Sequence, residues 1–310
     1  MALNYAEVWS PDLLEIMEQD SLTSPFVTTA VKWLSAKTFH FTQMSTSGYK
    51  SHSRLGGWNK GTFAQTDVPF TLTHDRDISF LVDKIDVDET NETASIKNIS
   101  EVFHKTQQIP EMDAYFYSKV ATEAQKLNGY HSSTALSSYT KENVYGKLKA
   151  MLSAGKLRRY VAKGALIAYV NSTIMDLLEQ STDFTRKIEM TQIAEGGIGI
   201  ETRITDIDGV TLIEVIDDER FYDKFDFTDG FAPVASTSHK INVLIASPLT
   251  VKTVPKIASI YYFNPGQHTE GDGYLYQDRS LSDTFVFPNG KDNKIDSIYV
   301  DVDTETYTAE

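Results

Sequence analysis

Apolar and polar residues alternate from residue 39, with Phe39 and Phe41 facing one way and His40 and Thr42 the other, and the alternation returns at Val68, Phe70 and Leu72. Two strands are predicted. The stretch between them, Thr46 to Gln65, holds Gly48, Gly56, Gly57 and Gly61 together with Lys50, Arg54, Lys60 and Trp58. It is too long for a tight turn and too polar to bury itself, so it predicts a projecting two-stranded arm. A third strand follows near Ile78–Val87. Helical spacing then runs from Ala94 to Leu127 through Ile99, Val102, Phe103, Met112, Phe116, Val120 and Ala124. Pro110 interrupts it, removing one backbone bond and crowding the carbonyl of Thr106, which predicts a kink.

Further on, Thr140 is a candidate cap for a helix through Val144, Leu148, Met151 and Leu152, and Gly155 stands where a left-handed stop belongs. The apolar run Ala165–Val170 predicts a buried strand, with Asn171 capping a short helix through Met175 and Leu178. The remainder predicts strands at 200–207, 210–216, 240–246, 256–263, 273–277, 284–287 and 298–302. Of the turns between them, Asp208-Gly209 is the strongest hairpin signal. Before residue 37, the anchors Trp9, Leu13, Phe26, Val31 and Trp33 are broken up by Pro11 and Pro25, a pattern suited to an arm lying on another surface.

With 310 residues and 41% hydrophobic content, the chain can bury a full core in about two lobes. Its charge of −14 repels phosphate backbones and anionic lipid heads, which argues against tight nucleic-acid or membrane binding. The absence of cysteine removes disulfides, thiolate metal sites and thiol nucleophiles. The N-terminus lacks a signal-peptide order, and the longest apolar run is far short of the ~20 residues of a membrane span. A start in the cytoplasm is expected.

Catalytic templates fail. None of the seven histidines stands at metal-ligand spacing. Calcium loops centred on Gly209 or Gly273 place Val215 or Arg279 at the last ligand position. Ser47 and Lys50 match a serine/lysine nucleophile spacing without its partner motifs. No catalytic residue, cofactor or metal is therefore expected. One basic concentration remains: Lys147, Lys149, Lys156, Arg158, Arg159 and Lys163, either a solvated helix end or a local phosphate contact.

The run GGWNKGTFAQTDVPFTLTHDRDISFLVDKIDVDET, then FHKTQQIPEMDAYFYSKVA, and finally DGYLYQDRSLSDTFVFPNGKDNKIDSIYV resemble the major capsid proteins of tailed bacteriophages, a coat fold shared with herpesvirus shells and encapsulins. The pattern at Thr106–Tyr115 is the most specific part, and the resemblance extends to about Val302. It implies an α+β fold: an N-terminal arm at 1–36, an extended β-hairpin loop at 37–75, a peripheral domain at 76–135 and 246–310 with a spine helix at 96–127, and an axial domain at 136–245.

The resemblance also implies function. The chain is expected to be a non-enzymatic head protein that assembles into hexamers and pentamers, forming an icosahedral shell around double-stranded DNA. Its expected partners are further copies of itself, a separate scaffolding protein, portal and head-completion proteins, and packaged DNA held weakly through Arg158, Arg159 or Lys163. Assembly is expected in the host bacterial cytoplasm, with the virion capsid as destination. Arg54, Trp58, Lys60, Trp9 and Phe26 are the expected inter-subunit contacts, noncovalent because no lysine, asparagine and acid match a covalent lock. The rival readings are an encapsulin-like compartment shell and, more remotely, a metal-dependent hydrolase.

Overall fold

A computed structural model describes residues 21–29, 33, 35, 37–52, 54, 56, 58–84, 96–161, 165–181, 189–190, 203–289 and 294–308. Most of the expected N-terminal arm, with Trp9, lies outside the described residues, as does Lys163.

Strands β1 (Thr38–Thr46) and β2 (Phe63–Thr71) pair antiparallel along their whole length as a separate two-stranded ladder, with Phe39 opposite Phe70. Strand β3 (His74–Asp83) then joins the edge of a three-stranded antiparallel sheet, ordered β12 (Val251–Phe263), β13 (Gly273–Val286), β3. The two strands expected at 273–277 and 284–287 are thus one 14-residue strand. The polar stretch from Asp278 to Ser282, which hid that continuity in the sequence, pairs on both sides, with β12 and with β3.

A seven-stranded sheet forms the centre, in the order β4 (His131–Ser133), β14 (Ile298–Thr306), β11 (His239–Ala246), β5 (Ile167–Asn171), β8 (Val210–Val215), β7 (Arg203–Ile207), β6 (Glu189–Met190). A short ladder of β9 (Phe225–Asp226) and β10 (Ala232–Pro233) is separate from this sheet, and a one-turn helix, α4 (Arg158–Val161), precedes β5. Both faces of the central sheet are covered. Val144, Leu148 and Leu152 from α3 (Val144–Leu152) and Ile174, Met175 and Leu178 from α5 (Ser172–Glu179) pack on one side against Ala168, Val170, Val243 and Ile245. On the other, Phe116, Tyr117, Val120 and Ala124 of α2 (Ile109–Gln125) meet Tyr169, Leu244, Ile298 and Val300. Burial from both sides is why 165–170 reads as an unbroken apolar run. The closing strand β14 hydrogen-bonds to β11 and β4 inside the central sheet.

The helical stretch is one continuous run from α1 (Ile96–Phe103) through a π turn at His104–Gln108 to α2. The expected fault at Pro110 sits one turn earlier. Pro110 occupies the first turn of α2, and the wider i to i+5 winding ahead of it absorbs the irregularity. Neighbouring caps follow the same local logic. Asn171 Oδ1 accepts from Thr173 N at 2.9 Å at the start of α5. Asn143, not Thr140, precedes α3, its Oδ1 accepting from Thr140 N at 3.0 Å, while the Thr140 carbonyl accepts from Val144 N. Asp208 and Gly209, with φ of 53° and 79°, make the β7–β8 turn.

After α3, Gly155 adopts a φ of 51°, and a Cβ there would lie 2.4 Å from the Tyr130 ring. Left-handed backbone costs a non-glycine residue roughly 1–2 kcal/mol, and the ring must also move. Gly155→Ala is therefore expected to lower stability by about 2 kcal/mol. Urea titration checks this, as a lower midpoint with an unchanged slope.

Candidate assembly surface

The β1–β2 hairpin is anchored at one end only. At its base, Phe39 is buried against Phe70, Phe285 and Trp33, with ring centroids 5.6, 5.2 and 5.7 Å away, and Lys256 caps the Trp33 ring at 3.9 Å. Aromatic contacts of this kind explain why an isolated ribbon holds its place. Beyond the base the apolar side chains turn outward. Met44, Tyr49, Trp58 and Phe63 are all exposed, Trp58 to 94%. The tip is closed by Ser47 N donating to Thr62 O at 2.8 Å and Asn59 Nδ2 donating to Ser51 O at 2.9 Å. Trp58 does not fold back onto the subunit core; its ring neighbour is His52, 6.3 Å away on the same tip. Arg54 and Lys60 are exposed beside it, with no ion pair among the described residues.

Two other sets of expected contacts behave differently. Phe26 is fully buried, 4.7 Å from the Phe116 ring and 6.2 Å from Tyr169. It is a core residue that fastens the N-terminal segment to its own subunit, and the expectation of an inter-subunit contact is withdrawn for it. The basic concentration is largely engaged within the chain. Arg158 Nη2 and Lys149 Nζ lie 3.3 and 3.5 Å from Asp208 Oδ2, and Lys147 donates to Ser138 O at 3.0 Å. Arg159 is exposed.

Buried carboxylates, invisible as such in the sequence, carry the polar architecture behind this surface. Asp113 is fully buried on α2 and accepts from Ser21 Oγ at 2.6 Å, Thr23 Oγ1 at 2.7 Å and Arg220 Nη1 at 3.0 Å. Asp301 on β14 accepts from Thr134 Oγ1, Tyr139 OH and Asn242 Nδ2 at 2.8, 2.6 and 2.8 Å. Asp283 accepts from Thr73 N and Tyr115 OH, both at 2.9 Å, joining β13, α2 and the chain entering β3. Burial and the Asp301 charge push the Tyr139 hydroxyl far above its ordinary range, so it stays a donor. Only a residue spacing that anticipates which acids meet donors across the fold could have flagged these, and no such short-range signal exists.

No protein-family model and no curated protein sequence matches the chain. Solved structures do. The mature capsid of bacteriophage PhiM1 superposes with a TM-score of 0.62 at 13% identity, over 93% of this chain and 88% of that one. The capsid of cyanophage P-SCSP1u gives 0.56 at 10% identity, over 90% and 86%. The chain has the tailed-phage major capsid fold. A structure from Mycobacterium phage Bobi gives 0.55 at 12% identity, over 92% and 91%. The β1–β2 hairpin and the α1–α2 run lie where the sequence resemblance expects an extended loop and a spine helix. At these identities the likeness is one of fold, and function has to be argued from the surface.

Proposed function

We propose that the chain is a capsid shell subunit that works by tiling copies of itself and not by catalysis. The observation that carries this reading is the hairpin: an arm fixed at its base, with Trp58, Tyr49, Met44 and Phe63 held in solvent where its own subunit cannot cover them. Monomeric proteins rarely present such side chains together on a projection. Laid across a neighbouring copy, the same residues become a buried aromatic anchor ringed by Arg54 and Lys60. The arm locks noncovalently. The subunits form hexamers and pentamers of an icosahedral shell around double-stranded DNA, assembled in a bacterial cytoplasm with a separate scaffolding protein and closed by portal and head-completion proteins. A wall of charge −14 contacts that DNA weakly, through cations such as Arg159.

Negative-stain microscopy of the concentrated protein, with scaffold supplied, tests the proposal: closed particles or capsomers support it, and light scattering that stays monomeric at every concentration and salt sinks it. Trp58→Ala sharpens the test. Because the ring is exposed in the free subunit, its melting should shift by no more than about 0.5 kcal/mol, while the assembly threshold rises at least tenfold. Boiled particles are expected to run as single chains on a denaturing gel. An equal loss in subunit and shell would make the hairpin part of the subunit's own core.

A further inference from the structure

A cleft of about 610 Å³ opens between the spine helix and the three-stranded sheet, beside the π turn. It exists because the sheet face under the helix is not apolar there. Alternate positions of β13 supply Asp278, Ser280 and Ser282, opposite Ile78, Arg76 and His74 of β3, and side chains that small leave the helix unsupported. The lining is acidic. Asp77, Asp229, Glu111 and Asp278 contribute carboxylates, while Arg76 is already engaged by Glu111 Oε1 at 2.7 Å and the Gly230 carbonyl at 3.2 Å. Glu111 also faces His74 Nε2 at 3.4 Å.

Asp278 sets this cleft apart from an ordinary acidic surface. It is only 6% exposed, and its Oδ2 has no hydrogen-bond partner. A buried carboxylate oxygen without a donor is costly; Gln108 and Tyr276 lie close enough to the carboxyl to offset part of the effect of its burial, but neither gives Oδ2 a hydrogen bond. A compact cation carrying several N–H groups satisfies both the missing donor and the negative lining.

We propose that this cleft is a binding site for an alkylammonium or guanidinium group that donates to Oδ2 of Asp278. Such a group has two sources. One is a free diamine. The other is a basic side chain at the hairpin tip of a second copy, where Lys50, Arg54 and Lys60 are all exposed.

Calorimetric titration of the full chain at pH 7.5 and low salt, first with 1,4-diaminobutane and then with a peptide spanning residues 46–63, decides the matter. At least one probe is expected to bind with one site per chain. Asp278→Asn, nearly isosteric, should weaken that binding tenfold or more, and Ser280→Leu should abolish it by filling the cleft, with melting curves confirming that both variants fold. Binding of the diamine alone assigns the site to a free ligand, and binding of the peptide assigns it to the hairpin. If neither probe binds the unaltered chain, or if Asp278→Asn binds as tightly, the proposal is overturned, whatever the outcome for shell assembly.

Discussion

Asp113→Ala should unfold the free subunit about 3–5 kcal/mol more easily than the parent chain. The substitution removes the one fully buried acid that Arg220 faces at 3.0 Å, and leaves a guanidinium that is itself nine-tenths covered. Removing the buried partner of an ion pair costs that much because the remaining charge has lost its water, and Arg220 keeps only the exposed Asp217, 3.0 Å from its Nη2, in compensation. Ser21 and Thr23 lose their acceptor in the same stroke, so the segment that Phe26 fastens to α2 loosens as well. The expected signs are a Tm lower by roughly 10 °C and faster amide exchange over residues 21–28. Arg220→Met alone should also destabilise, but adding it to Asp113→Ala should recover part of the loss. Additive losses in the double variant would mean that the pair is not coupled.

Asp278→Asn should do the opposite above neutral pH and stabilise the chain. Burial raises the Asp278 carboxyl from 3.8 to about 6, opposed by hydrogen bonding to Gln108 and Tyr276. The folded chain therefore holds this proton more tightly than the unfolded one. The stability it contributes is complete below about pH 4 and is lost as pH rises through about 6. A shift of that size corresponds to at most about 3 kcal/mol, which asparagine, having no proton to lose, does not forfeit. His104 lies in the same wall and works the other way. Its ring is held below its ordinary value by burial, so its contribution is present above pH 6.5 and falls away on acidification. The two nearly opposed slopes make the parent's own pH profile uninformative. The difference between parent and variant is the readout: near zero at pH 4 and growing to its full value by about pH 7.5. Asp75 does not intrude, since Arg279 and then Lys37 hold its carboxyl near 2 and its contribution is lost only below pH 3.8. A difference that is flat with pH would place Asp278 in contact with solvent.

Local rules carried the sequence reading a long way. The Asp208-Gly209 turn, the Asn171 cap and the α1–α2 helix each depend on residues within about five positions of one another, where spacing and backbone preference decide. The hairpin was legible for the same reason: alternation defines its strands, and the glycine-rich interval cannot bury itself. What failed was the assignment of distant partners. Phe26 has the composition of an interface residue, but its environment is set by Phe116 and Tyr169, far along the chain. The continuity of β13 was hidden because buried polar residues such as Asp278 and Ser282 look like loop until both neighbouring strands are known. The π turn has no residue signature of its own, and proline drew attention to the position one turn beyond it. The acids at 113, 283 and 301 are three among 43 acidic residues, and only the fold says which are dry.

The place of β14 in the central sheet governs when the subunit can be finished. It lies between β4 and β11, pairing Val300 with His131 and Val302 with Ser133, so about 165 residues must be made after β4 before its neighbour exists. At 5–20 residues per second, translation leaves β4 without its partner strand for roughly 10–30 s. Contacts of such sequence separation also slow the final closure. The hairpin, by contrast, pairs residues only 17 to 33 apart and can form as it emerges. A nascent chain therefore carries its hairpin long before the rest of the subunit is complete. Where the arm docks on a second copy, as proposed, delayed completion of the sheet reserves that docking for released, finished chains.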